Sequence, residues 1–164
     1  MHLPALFPSW LLNIPLGWIV VVIIVLLLSF DAMRSGPGRA VVLAIASPIS
    51  IFLFEILPQT FLVGKMFTAL SASFVIAGIA LAIYIVIYLL LHRMTATFSG
   101  LSTGLLNSLL AGISGTIAFI ILWLQIPALV SLWNPGSQID ALFGLPYALL
   151  WFLGSFLVLA FVRS

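Results

Sequence analysis

Ile19-Val20-Val21-Val22-Ile23-Ile24-Val25-Leu26-Leu27-Leu28 is an unbroken aliphatic block. An element with one face in water alternates polar and apolar residues at a period of 3.6 or 2, and this block shows neither period. Its flanks extend the apolar character from about Leu11 to Phe30. At 1.5 Å of rise per residue, about 20 residues cover a hydrocarbon core of about 30 Å. The block therefore predicts a transmembrane helix.

Four more stretches follow the same logic. The second runs from Ala40 to Val63 and contains Pro48 and Pro58. The third, Met66 to Leu91, has no proline and ends at His92 and Arg93. The fourth runs from Leu105 to Trp133, with Pro127 near its far end. The fifth, Leu145 to Val162, is short and ends at Arg163; a tilted or interfacial placement is its alternative. Ser35-Gly36-Pro37-Gly38, Gly64-Lys65, Gly100 to Gly104 and Asn134 to Gly144 are the connections, each rich in helix-breaking residues. The expected fold is all-α, a polytopic transmembrane helix bundle of four to five spans, forming a single integral membrane domain over residues 1–164.

Composition agrees. Of the 164 residues, 65% are hydrophobic and 5% charged, against about 25% charged in ordinary soluble domains. The mean hydropathy is +1.42. So small a soluble domain has too much surface to hide that much apolar side chain, and lipid is the natural partner. Disordered chains are charged and poor in aliphatics, which excludes disorder. The five basic residues form no cluster, so no nucleic-acid partner is expected. There is no cysteine, hence no disulfide, thiolate metal site or cysteine nucleophile. Met1 to Ser9 carries no Lys or Arg, and no small-residue cleavage site follows the first block, so a cleaved signal peptide is not expected.

With five spans, Arg34, Arg39, Arg93 and Arg163 fall on one side, and Lys65 with Asp140 on the other. Positive residues stay inside. The arginines are therefore expected in the cytoplasm, with the N-terminus outside and the C-terminus within. Trp10, Trp18, Trp133 and Tyr147 then lie near the outer boundary, where interfacial aromatics belong.

Gly100, Gly104, Ser108, Gly112 and Thr116 are four apart, with Asn107, Ala111 and Gly115 in a row beside them. Residues four apart share a helix face, and in lipid small-residue faces let backbones approach. Intramolecular packing is the expected use; a homo-oligomer or membrane-protein partner is the alternative. Ala69, Ser73 and Ala77 make a shorter row on the third span.

Glu55 is the one acid inside a span, about 22 Å along the second helix from Ala40. An acid near the bilayer centre costs roughly 2.5–3.5 kcal/mol on insertion scales, which marks a candidate site. Gln59 lies one turn on, and Ser71 and Ser73 are expected at similar depth. Glu55, Gln59 and Ser73 are read either as a hydrogen-bonded structural group or as a proton or cation site. Asp31 and Arg34 are spaced to pair with each other, and Tyr84 and Tyr88 to pack together with hydroxyls near the interface.

Gly112-Ile113-Ser114-Gly115 is similar to the G-x-S-G of rhomboid proteases. A serine nucleophile needs a base within reach. His2 and His92 both precede Ser114, and His92 falls at a span boundary. No enzyme activity, cofactor or metal site is expected.

Two segments resemble the bacterial colicin V production protein family. One is Met33-Arg34-Ser35-Gly36-Pro37-Gly38-Arg39-Ala40, matching the family's basic, Gly-rich turn between its first two helices. The other is Gly100-Leu101-Ser102 with Leu105-Leu106-Asn107-Ser108-Leu109-Leu110-Ala111-Gly112 and then Gly115, matching a Gly-Leu element and a small-residue helix. Asn107 and Ser108 stand where the family has Asp and Arg, Ala111 where it has Gly, and Gly17 near an acid of the family's first helix. The resemblance implies a non-enzymatic protein of the bacterial cytoplasmic (inner) membrane, linked to toxin production or export, or to envelope homeostasis. From the residues alone, a small oligomeric transporter or channel using Glu55 and an accessory subunit of a larger membrane complex are the alternatives.

Overall fold

A computed structural model describes residues 15–60, 64, 72–95 and 104–163 of the chain. Those residues form seven α-helices and no strand: α1 (Leu16–Ser35), α2 (Gly38–Ile56), α3 (Ser73–Thr95), α4 (Leu105–Gln125), α5 (Pro127–Leu132), α6 (Ser137–Phe143) and α7 (Leu145–Arg163). A 3₁₀ turn, Leu57–Gln59, extends α2. Five of the helices are long and apolar enough to cross a bilayer: α1, α2 with its 3₁₀ turn, α3, α4 and α7. The chain is an all-α, multi-pass membrane protein, and Leu145–Val162 is long and apolar enough to be one of its spans.

Several boundaries differ from the sequence reading. The first helix does not stop at Phe30 but continues to Ser35, because Asp31, Ala32, Met33 and Arg34 are all compatible with helix and only Gly36 is not. Gly36 sits at φ 82°, in the left-handed region that favours glycine. Its N–H bonds to the Ala32 carbonyl at 2.9 Å, and Pro37 then starts the return. Pro48 does not break α2, whereas Pro58 converts its end to a 3₁₀ turn that stops at Gln59, short of Val63. The third helix extends past Leu91 to Thr95, so Arg93 lies on its last turn.

The fourth span ends at Gln125 and not at Trp133. A residue before proline is pushed out of the helical region. Ile126 accordingly adopts φ −105°, ψ 103°, and Pro127 becomes the first residue of α5. Gly136, at φ 106°, turns the chain from α5 into α6.

Helix α4 is the axis of the bundle. It packs on α1, α2 and α7, and 56% of its span is buried, against 11% for α3. Helix α3 lies outboard on α2 and α5 and reaches α4 through Tyr84, whose ring is 6.2 Å from that of Phe119. One end of the bundle gathers Ala32, Ala40, Ala111, Leu159 and Val162. The other gathers Val21, Ile120, Ile121, Ile139, Phe143 and Ala148. Helices α1 and α7 therefore run antiparallel to α2 and α4. The contact of Ala77 and Ala80 with Leu122, Ile126 and Leu129 orients α3 like α1. Lipid tails are as apolar as leucine, so these seams are held by close van der Waals packing of small residues.

Candidate functional site

The small-residue face of α4 is consumed by intramolecular packing. Ser108 and Ala111 are fully buried. At Gly112 the chain of α1 comes so close that an added Cβ would overlap the Ser29 hydroxyl and lie 2.6 Å from the Ser29 backbone nitrogen. A Cβ at Gly115 would meet Leu28 at 3.4 Å and Ala40 at 3.7 Å. Thr116 is buried too, its hydroxyl donating to the Gly112 carbonyl at 2.8 Å. Gly104 does not belong to this face: it is exposed, with nothing within 4 Å of an added Cβ. It is the N-cap of α4, beyond the point where α1 ends. Gly100 and Ala69 lie outside the described residues, as do Lys65, Ser71 and Trp10.

Two segments distant in sequence thus meet in one joint. The end of α1 and the start of α2, around Ser29 and Ala40, close on the first half of α4, around Gly112 and Gly115. At this end Asp31 pairs across the turn with Arg39, N–O 2.7 Å. It also accepts a long hydrogen bond from Ser35 at 3.4 Å. The expected Asp31–Arg34 pair does not form; Arg34 points outward and is exposed. Arg93 is exposed on the last turn of α3, and Arg163 ends α7. The four arginines therefore share one end of the bundle.

Tyr84 and Tyr88 do not form a pair with each other. Tyr84 is buried beside Phe119, its hydroxyl next to Ser47 without a hydrogen bond of acceptable geometry. Ser47 instead donates to the Leu43 carbonyl at 3.0 Å. Tyr88 stacks on His92, centroids 5.9 Å apart.

Glu55 is not buried. It sits about 26 Å along α2 from Gly38, at the helix's last turn, and is exposed. Gln59 and Ser73 are exposed as well, and no hydrogen bond joins the three among the described residues. The 3₁₀ turn at Leu57–Gln59 ends the second span at Gln59, so Glu55 lies inside that span but only about one turn from its end. Ser114 is 1% exposed inside α4, while His92 lies on the outboard helix against Tyr88. Among the described residues no three His, Cys, Asp or Glu gather to hold a metal ion.

The opposite end carries a cap that the sequence reading divided between the far end of the fourth span and a loop. Helices α5 and α6 are stitched to the spans by three indole N–H groups. Trp18 donates to Gln138 at 3.0 Å, Trp123 to the Trp133 carbonyl at 2.9 Å and Trp151 to the Leu142 carbonyl at 2.7 Å. Gly17 lets the carbonyl of Pro135 rest directly on α1, where any side chain would overlap it. Trp18 and Gln138 are 120 residues apart, and no spacing rule connects them. Of the three donors only Trp18 stood at a predicted boundary; Trp123 and Trp151 fell inside predicted spans.

No family, curated protein or solved structure matches this chain in comparisons with known proteins.

Proposed function

We propose that the chain is a non-enzymatic protein of the bacterial inner membrane, of the colicin V production type, acting in toxin production or export or in envelope homeostasis. The observation that supports this reading is the joint itself. The two segments that carry the resemblance, Met33 to Ala40 and Leu105 to Gly115, meet where Gly115 lies on Ala40, and the neighbouring Gly112 packs on Ser29, just before the first segment. Residues matched in a family for packing should meet in the fold, and segments matched by chance need not. Gly17 departs from the family's acid, and the Pro135 carbonyl fills its place. The proposed orientation puts the arginine end in the cytoplasm and the N-terminus outside.

The test is complementation. In a colicin V-producing strain deleted for its own production protein, membrane-inserted expression of this chain restores toxin release. Release that stays at the deletion level, with the chain present in the membrane, removes the reading.

An accessory subunit of a larger complex is the second reading, favoured by Glu55. Intramembrane acids ordinarily face their own bundle, and this one faces away from it. Purification from native membranes distinguishes it: a stoichiometric partner lost in Glu55→Leu supports it, and a lone chain of 17.7 kDa opposes it. A transport path through Glu55, Gln59 and Ser73 would require several copies, because within one copy all three lie on the outside.

A further inference from the structure

The cap borders an open crevice of about 400 Å³ that the proposed function does not use. Leu124 at the end of α4 and Pro127 and Val130 of α5 form its apolar side. Asn134, Ser137 and Asp140 form its polar side. It lies where two spans end, between Gln125 of α4 and Leu145 of α7, at the level of the indoles of Trp18, Trp123 and Trp151. Tryptophan is enriched at the headgroup level of membranes.

We infer that this crevice holds the headgroup of an aminophospholipid, its ammonium on the Asp140 carboxylate and its glycerol end against Leu124, Pro127 and Val130. Ligand sites are typically clefts of about 300–1,000 Å³ with apolar walls and a few placed polar groups, and this crevice has that size and that mixture. The charge selects the ligand. None of the six lining residues is basic, and Asp140 is paired to no described residue. A lone carboxylate is too few ligands for calcium, which takes six to eight oxygens. The cavity is also far larger than an ion needs. Asn134 Oδ1 already accepts the Gly136 N–H at 2.9 Å, which fixes the side chain and leaves its NH₂ group free to donate to a phosphate. The Ser137 hydroxyl is a second donor on the same side.

The site discriminates by hydrogen-bonding capacity and charge. A primary ammonium donates N–H bonds to Asp140. A choline headgroup has no N–H, and a glycerol headgroup leaves the lipid anionic beside an acid. A charge-assisted hydrogen bond corresponds to about a tenfold preference.

The experiment uses the purified full chain with an equimolar mixture of phosphatidylethanolamine, phosphatidylcholine and phosphatidylglycerol of identical acyl chains, with retained lipid counted by native mass spectrometry. The wild type is expected to retain the ethanolamine lipid about tenfold over choline. Asp140→Asn, an exposed isosteric change, is expected to retain the two equally. Val130→Trp, which fills the crevice and leaves Asp140 in place, is expected to retain neither lipid specifically. Equal retention of the two lipids by the wild type overturns the inference, as does a preference that survives Asp140→Asn. Displacement of the lipid by equimolar free phosphoethanolamine would also overturn it, assigning the crevice to a soluble amine. None of these outcomes depends on the toxin-export reading.

Discussion

Gly112→Ala adds one methyl group at the tightest place on α4. The new Cβ would stand 2.6 Å from the Ser29 nitrogen and 2.8 Å from its Cα, besides overlapping the hydroxyl. Ordinary contact begins near 3.4 Å, so α1 and α4 must part by about 0.6–0.8 Å at this point. A gap of 0.5–1 Å forfeits about a quarter to a half of each van der Waals contact along the seam. Overpacking of this kind costs about 1–3 kcal/mol. Alanine also gains up to about 1 kcal/mol over glycine in a helix, which would mask part of the loss.

Gly154→Ala on α7 removes that ambiguity. A Cβ there meets nothing within 4 Å, so it carries the helix gain alone. The difference between the two variants isolates the seam and is expected to be about 1–3 kcal/mol, or roughly 5- to 150-fold in the unfolding equilibrium. Reversible unfolding in mixed micelles, followed by tryptophan fluorescence, measures it. Ser29→Ala in the Gly112→Ala background should not restore stability, because the Ser29 backbone is what obstructs the methyl. Equal stability of Gly112→Ala and Gly154→Ala, or full rescue by Ser29→Ala, would refute the close backbone approach.

Topology is testable because no native cysteine interferes: an impermeant thiol reagent added outside should label Ser137→Cys and spare Ser35→Cys, and the opposite pattern inverts the proposed orientation. Glu55→Gln should change unfolding by less than about 0.5 kcal/mol, as for other exposed positions; a larger loss would mean that the side chain is held by a partner. A fluorophosphonate probe should leave the purified chain unlabelled, since Ser114 is 1% exposed within α4; stoichiometric labelling lost in both Ser114→Ala and His92→Ala would establish a serine hydrolase.

The sequence by itself determined the solvent and the element type. Runs such as Ile19–Leu28 have no polar face to offer water, so lipid and helix follow from hydropathy and length before any packing is known. Glycine and proline marked the connections because their backbone constraints are local: Gly36, Pro58, Pro127 and Gly136 each act within a residue or two. The small-residue row on α4 was legible for the same reason, since residues four apart share a face whatever lies opposite. What lies opposite was not legible. Only the tertiary structure assigned Gly112 and Gly115 to the α1–α2 joint while leaving Gly104 exposed. It also moved Glu55 to the bundle's outer surface and gave Asp31 to Arg39 in place of Arg34. The cap and its crevice are wholly tertiary, built from residues of α1, α4, α5, α6 and α7 that no periodicity relates. The physical reason is that a bilayer fixes depth and secondary structure through one-dimensional hydropathy. It exerts little force on which apolar face meets which, and that choice falls to short-range packing between helices distant in the chain.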